Sequence, residues 1–331
     1  MTGPAADDPG AALAPAQGTA HPAGALASAP KRADGPSIGG PGTALPPPGA
    51  PAATVPPPGR TASGPAPALA RRGLLALPLL AALPARAAGY AQGQLVTGRV
   101  APGSRLALDG RAVRVGPGGE YAFGFGRDHG PEAVLTVTPP GGHPQPQALA
   151  VARREWKVQS IKGLPPAQVT PDAEALRRIA AERERLAAAR AVDSPQPFFA
   201  EGFVLPARGR VSGVFGSQRI LNGEPRQPHY GFDIAAPVGT PLHAACSGRV
   251  TLAAEFFFFG RIIVLDHGHG VSTLYAHCAE IEVAEGQRVA AGQRIGAIGM
   301  TGRVTGPHLH FGLSWFSTWL DAEPVLPPVT G

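Results

Sequence analysis

Between residues 94 and 155 apolar and polar positions alternate over short stretches at 95–100, 105–108, 112–115 and 133–137. Pro102-Gly103, Asp109-Gly110, Pro117-Gly118-Gly119 and Pro139-Pro140-Gly141-Gly142 punctuate them. A period of two broken at regular intervals by turn residues predicts a small β-sandwich. The period then lengthens. Leu176, Ile179, Ala180 and Leu186 form a thin apolar stripe within 171–191, with Asp172 and Glu174 early and arginines late. This predicts one helix whose charges complement its dipole, opening at Pro171 behind Thr170. Residues 201–326 return to strand character. The run 262–265 is continuously apolar, as in a strand buried on both faces, and 271–275 follows a Gly-rich turn. Gly286-Gln287-Arg288-Val289 recurs as Gly292-Gln293-Arg294-Ile295, which predicts a local hairpin.

Composition divides the chain further. Its 331 residues include 39 Pro and 45 Gly, about a quarter of the whole, too many for one compact fold throughout. Residues 1–70 hold 16 Pro and no Phe, Trp or Tyr, so they lack the apolar surface to offset ordering entropy and read as disordered. A start at Val55 or Leu69 would remove most of them. Arg71-Arg72, an apolar stretch over 73–83 and Ala85-Arg86-Ala87 have the form of a secretory signal peptide at 71–87; a short buried helix is the plainer reading. The expected organisation is therefore 1–70 disordered, 71–87 signal, 88–160 β-sandwich, 161–197 helical linker and 198–331 a β-rich domain, a mainly β chain. A mature chain would begin near Ala88 and act in the periplasm or outside the cell.

The net charge of +6 comes from scattered arginines, without the dense basic run of a nucleic-acid arm. Two cysteines, Cys246 and Cys278, exclude a disulfide-dense scaffold and a multi-Cys zinc ribbon. No apolar run reaches the ~18 residues of a membrane span.

Seven of the ten histidines lie between 229 and 310. His229 and Asp233 are four apart, and His308 and His310 two apart; even spacings put side chains on one face of an extended strand. Nitrogen and carboxylate donors on neighbouring strands suit a zinc ion, and three protein ligands leave a fourth position for water. A second His-x-His, His267 and His269, sits between glycines in a turn; its side chains are expected to be poorly held, in a structural or surface role. His243 has no partner in sequence and reads as a packed or solvated residue.

Three segments carry a resemblance: His229-Tyr230-Gly231-Phe232-Asp233, Tyr275-Ala276-His277, and Gly306-Pro307-His308-Leu309-His310-Phe311. In this order, with Ala236-Pro237-Val238-Gly239-Thr240-Pro241, Ser247-Gly248-Arg249-Val250 and Gly299-Met300-Thr301-Gly302 between them, residues 201–326 resemble the lysostaphin-type, or LytM-like, zinc metallopeptidases. The resemblance implies one zinc per chain on His229, Asp233 and His310, with His277 and His308 as the catalytic pair. It also implies a peptidoglycan peptide as substrate. An alternative within the same resemblance is a non-catalytic activator of other cell-wall hydrolases. A biotinyl or lipoyl carrier, suggested by 283–293, needs a lysine, and none follows Lys162. Phe256-Phe257-Phe258-Phe259 replaces the family's Gly-rich turn and either walls a groove or is buried. Cys246 and Cys278 either pair in an oxidising compartment or stay separate and buried.

Overall fold

The computed structural model describes residues 89–161, 172–221, 223–225 and 227–329. The expected disordered segment and signal peptide, and with them the start of the mature chain, lie outside these residues.

Strands β1 (Tyr90–Ala91), β2 (Leu95–Arg99), β3 (Arg105–Leu108), β4 (Arg111–Val113), β5 (Glu120–Gly124), β6 (Glu132–Thr138) and β7 (Gln145–Ala152) form two small sheets. One has the order β1-β7-β6-β3-β4, and β2 pairs with β5 in the other. Leu95, Leu106, Leu135, Phe123 and Phe125 are buried in an apolar cluster that continues into the later strands. The sequence pattern marks four of these strands. It misses the two-residue β1, β5, whose turn merges with the preceding Pro-Gly-Gly, and β7, whose exposed polar positions mask its alternation.

β8 (Val158–Ile161) leaves this region and pairs in parallel with β10 (Gln218–Leu221), which pairs in turn with β11 (Glu224–Pro225). The helix α1 (Ala173–Arg190) begins two residues later than the sequence suggests. Its cap is Asp172, whose carboxylate accepts the Ala175 amide at 2.8 Å. Its buried face also differs: Leu176 is exposed, and Ile179, Glu182, Leu186, Ala189 and Arg190 point inward. Two charges fall on that face because each finds a partner. Glu182 accepts from Arg178 at 2.7 Å and from the Phe257 amide at 2.8 Å. The Arg190 guanidinium lies 3.5 Å over the Trp319 ring, and its Nε donates to Ser314 Oγ.

The remaining strands are β9 (Arg210–Gly213), β12 (Phe232–Ala235), β13 (Pro241–His243), β14 (Gly248–Phe256), β15 (Gly260–Asp266), β16 (Val271–Ile281), β17 (Arg288–Val289), β18 (Arg294–Ile298), β19 (His308–Trp315) and β20 (Thr318–Leu320). Their spine runs β17-β14-β15-β16-β19-β12-β9. The apolar run read at 262–265 is the middle of β15, buried on both faces. The expected hairpin between the two Gly-Gln-Arg repeats does not form. β17 pairs with β14, and β18 with β13 and β16, so the repeat supplies two strands to different neighbours. Asp321 and Arg154, 2.8 Å apart, tie the end of this sheet to the segment after β7. Arg127 Nε likewise donates to Gly216 O.

Candidate active site

β12 and β19 run antiparallel with Asp233 opposite His310, so a carboxylate and an imidazole meet across one strand pair. His229 is not on that strand, although the even spacing suggests it. It precedes β12 and is held by its backbone between Gly216 and Ser217, whose amide and carbonyl bond it at 2.7 and 2.9 Å. The chain then turns through Tyr230-Gly231 into β12. Gly231 has a steric reason: a Cβ there would lie 2.6 Å from His310 Nε2 and 2.8 Å from its Nδ1. Gly213 on β9 has another, since its Cβ would lie 2.9 Å from Asp233 Cγ. The two glycines leave room for the His310 and Asp233 side chains.

The three donors converge. His229 Nε2 is 3.2 Å from Asp233 Oδ1 and 3.3 Å from His310 Nδ1, and His310 Nδ1 is 2.9 Å from Asp233 Oδ1. All three residues are buried. His229 Nδ1–H donates to Val214 O at 2.9 Å, which fixes its tautomer and turns the Nε2 lone pair toward the cluster. Burial by itself would raise the Asp233 carboxyl. The imidazoles of His229 and His310 outweigh it and hold the group well below the usual carboxylate range, so it is anionic at neutral pH. An anionic oxygen and two imidazole nitrogens in one pocket are a metal-ligating set.

His277 and His308 stand beside this set. Their rings are 4.8 Å apart, and His277 is 6.1 Å from His310. His277 lies within β16, where the pairing with β18 shifts register after Cys278, and its φ is +64°. Left-handed backbone in a non-glycine residue costs on the order of 1–3 kcal/mol and persists only where surrounding contacts enforce it. Here the His277 amide donates to Phe259 O at 2.8 Å, and Nδ1–H to Thr301 O at 2.9 Å. Its Nε2 is buried with no hydrogen-bond partner among the described residues. Burial first, then the neighbouring His308 and His310, push its pKa down to about 3, so the ring is neutral at pH 7. His308 Nδ1–H donates to Gly306 O at 2.9 Å. Both imidazoles therefore keep Nε2 available.

The other expectations divide. His267 and His269 are buried, not loosely held. His267 bonds Ser247 O and Thr273 Oγ1 at 2.8 and 2.7 Å, and burial lowers its pKa to about 4. His269 faces Pro195 O and stacks edge-on with Phe199. The flanking Gly268 and Gly270 permit a tight turn whose side chains enter the core. His243 is partly exposed at the end of β13. Phe256, Phe258 and Phe259 are buried, with Phe259 6.1 Å from the His310 ring, and Phe257 is partly exposed at the turn. Cys246 and Cys278 are separate buried thiols; burial pushes each up to about 12. Gly213 and Val214 shape the site and were not singled out by the sequence pattern, whereas Gly231, Phe259 and Thr301 stand within motifs that were.

The family model for peptidase family M23 matches residues 227–324, a span that contains all five residues. Over 122 residues the chain is 40% identical to the peptidoglycan DD-endopeptidase ShyA of Vibrio cholerae, covering 37% of this chain and 28% of that protein. Over 118 residues it is 38% identical to the DD-carboxypeptidase/endopeptidase Mpg of Neisseria meningitidis, covering 36% and 26%. The chain thus spans about a quarter of the length of these relatives. A crystal structure of a candidate M23 peptidase from Pseudomonas aeruginosa aligns over 70% of this chain and 92% of its own, with 27% identity and a TM-score of 0.55. That alignment extends well beyond 227–324 and is consistent with a shared β-rich architecture. The lysostaphin-type resemblance is borne out: residues 227–324 form a peptidase family M23 domain.

Proposed function

We propose that this chain is an exported, zinc-dependent metalloendopeptidase that hydrolyses peptide bonds in peptidoglycan cross-links. The observation that carries the reading is the convergence of His229 Nε2, Asp233 Oδ1 and His310 Nδ1, with the Nε2 atoms of two further imidazoles held alongside. Donors bound to zinc at ~2.0–2.2 Å in a tetrahedron lie about 3.3–3.6 Å apart. The separations of 2.9, 3.2 and 3.3 Å come close to that edge, so the donor set fits the ion. Zinc bound there supplies Lewis acidity and a water acidic enough to ionise near neutrality.

The chain's own residues supply the rest. His229, Asp233 and His310 would hold the ion, and three protein ligands would leave a fourth position for water. His277, neutral and desolvated, presents Nε2 as a proton acceptor, and His308, its ring 4.8 Å from that of His277, shares proton transfer to the departing amine. Either imidazole, when protonated, steadies the oxyanion formed as water adds to the peptide carbonyl. No His-Glu-x-x-His motif occurs, so these histidines take the part that a helical glutamate plays elsewhere. Support for the substrate class comes from the relatives named for peptidoglycan DD-endopeptidase activity. Action on that polymer places the chain in the periplasm or outside the cell. No helix among the described residues is long and apolar enough to cross a membrane.

Digestion of purified peptidoglycan with mass spectrometry of the products tests this. The expected result is new free ends within cross-link peptides, lost with a chelator and restored by zinc. Unchanged muropeptides in the presence of zinc would refute it and favour the activator reading. The intact set of five residues supports the enzyme.

A further inference from the structure

The segment 299–307 supplies both carbonyls that orient the paired histidines: Thr301 O for His277 and Gly306 O for His308. The two acceptors are not held alike. Thr301 is fixed by its own side chain. Its hydroxyl donates to Cys278 O at 2.9 Å and accepts the Arg261 amide at 2.9 Å, so it joins β15 and β16 where their pairing shifts register. Gly260 packs directly behind it; with φ +60°, a Cβ there would lie 2.5 Å from Thr301 O. The next amide but one, Arg303 N, bonds Phe258 O at 3.0 Å. The Thr301 carbonyl therefore cannot turn away from His277 without breaking a hydroxyl clamp between two strands.

We propose that Thr301 is a positioning residue: its clamped carbonyl holds His277 as the Nδ1–H tautomer and directs the His277 Nε2 lone pair into the site. The physical need is specific. A neutral imidazole carries one proton, and a proton on Nε2 would leave no acceptor facing the substrate water. His277 Nε2 has no partner of its own among the described residues, so the bond at Nδ1 decides the tautomer. Among the described residues the Thr301 hydroxyl bonds Cys278 O and the Arg261 amide, not any of the four histidines or Asp233 of the site; its effect passes through its carbonyl. The proposal rests on His277 acting in hydrolysis, but the tautomer is measurable without turnover.

The experiment uses the full chain with Thr301→Val, which keeps the shape and removes the hydroxyl, and Thr301→Ser, which restores it. Nitrogen-15 spectra of the imidazoles are recorded on metal-free protein, with His277 assigned by its loss in His277→Ala. The expected result is a Nδ1–H pattern for His277 in wild type and Thr301→Ser, and an exchange-averaged pattern in Thr301→Val. With zinc, Thr301→Val should lower kcat about 10–100-fold, as expected for a displaced reacting group. Its KM and metal content should change little, and Thr301→Ser should recover kcat to within about 2-fold. If Thr301→Val does not fold, Thr301→Ala is read in the same way. An unchanged His277 tautomer in the hydroxyl-free variant, or equal loss of kcat in Thr301→Ser and Thr301→Val, overturns the proposal. Full activity in His277→Ala would instead strike at the proposed function, with the tautomer result standing independently.

Discussion

Replacing Gly231 by Ala tests the construction of the site, because it adds one methyl group and alters no donor. The new Cβ would sit 2.6 Å from His310 Nε2 and closer still to Cε1. Ordinary contacts between such atoms are ~3.5 Å, so the ring must withdraw by about 1 Å. His310 has little freedom to do so. It is buried, its Nδ1 lies 2.9 Å from Asp233, and Phe259 packs 6.1 Å away, centre to centre. Metal–ligand distances tolerate only about 0.2 Å. A displacement several times larger should weaken zinc binding at least about 10–100-fold, the scale seen when groups supporting a metal ligand are lost. Hydrolysis should fall by about 100-fold in kcat/KM even at saturating zinc. The assay is competition with a chromophoric chelator, followed by kinetics on a peptidoglycan fragment. Gly130→Ala is the control, because a Cβ at Gly130 meets nothing within 4 Å. Wild-type affinity in Gly231→Ala would refute the argument, showing that His310 moves freely or is not a ligand.

Asp233→Ala and His310→Ala should lose both metal and activity, whereas His277→Ala and His308→Ala should keep zinc and lose about 10²–10⁴ in rate; metal analysis beside turnover separates the two classes, and retention of zinc in His310→Ala would reverse the assignment. Acid should weaken the fold through His267. Its pKa is about 4 in the folded state against 6.5 outside it, so the unfolded chain binds more protons as pH falls below about 6.5, and up to about 3 kcal/mol is lost by pH 4. Urea melts of wild type and His267→Gln should converge in pH dependence only if this is wrong. Denaturing alkylation should add two labels per chain, at Cys246 and Cys278, without prior reduction, and Cys246→Ser should keep its zinc; a single disulfide-linked species or zinc loss would contradict two separate buried thiols.

What the sequence determined by itself was chiefly chemical identity. His229, Asp233, His277, His308 and His310 were legible because each stands in a short motif, and those motifs occur in one order. The β character was legible too, since alternation and turn residues are local signals; the buried run inside β15 is the clearest case. Local signals could not reveal which strands pair. The two Gly-Gln-Arg repeats look like a hairpin, yet their partners lie 39–41, 15–20 and 51–56 residues away, in β14, β16 and β13, because sheet order is decided by burial of whole faces. Spacing also misled at His229, which reaches the cluster from a loop rather than from the face of β12. For the turn histidines His267 and His269 a structural role holds but loosely held side chains do not: flanking glycines describe the backbone, whereas burial depends on what packs over it. Above all, tertiary structure decided the protonation logic. The carbonyls of Val214, Thr301 and Gly306 lie 15, 24 and 2 residues from the imidazoles they orient. The two bonds that span 15 and 24 residues leave no periodic trace in the chain, yet they select which nitrogen of His229 and His277 faces the site.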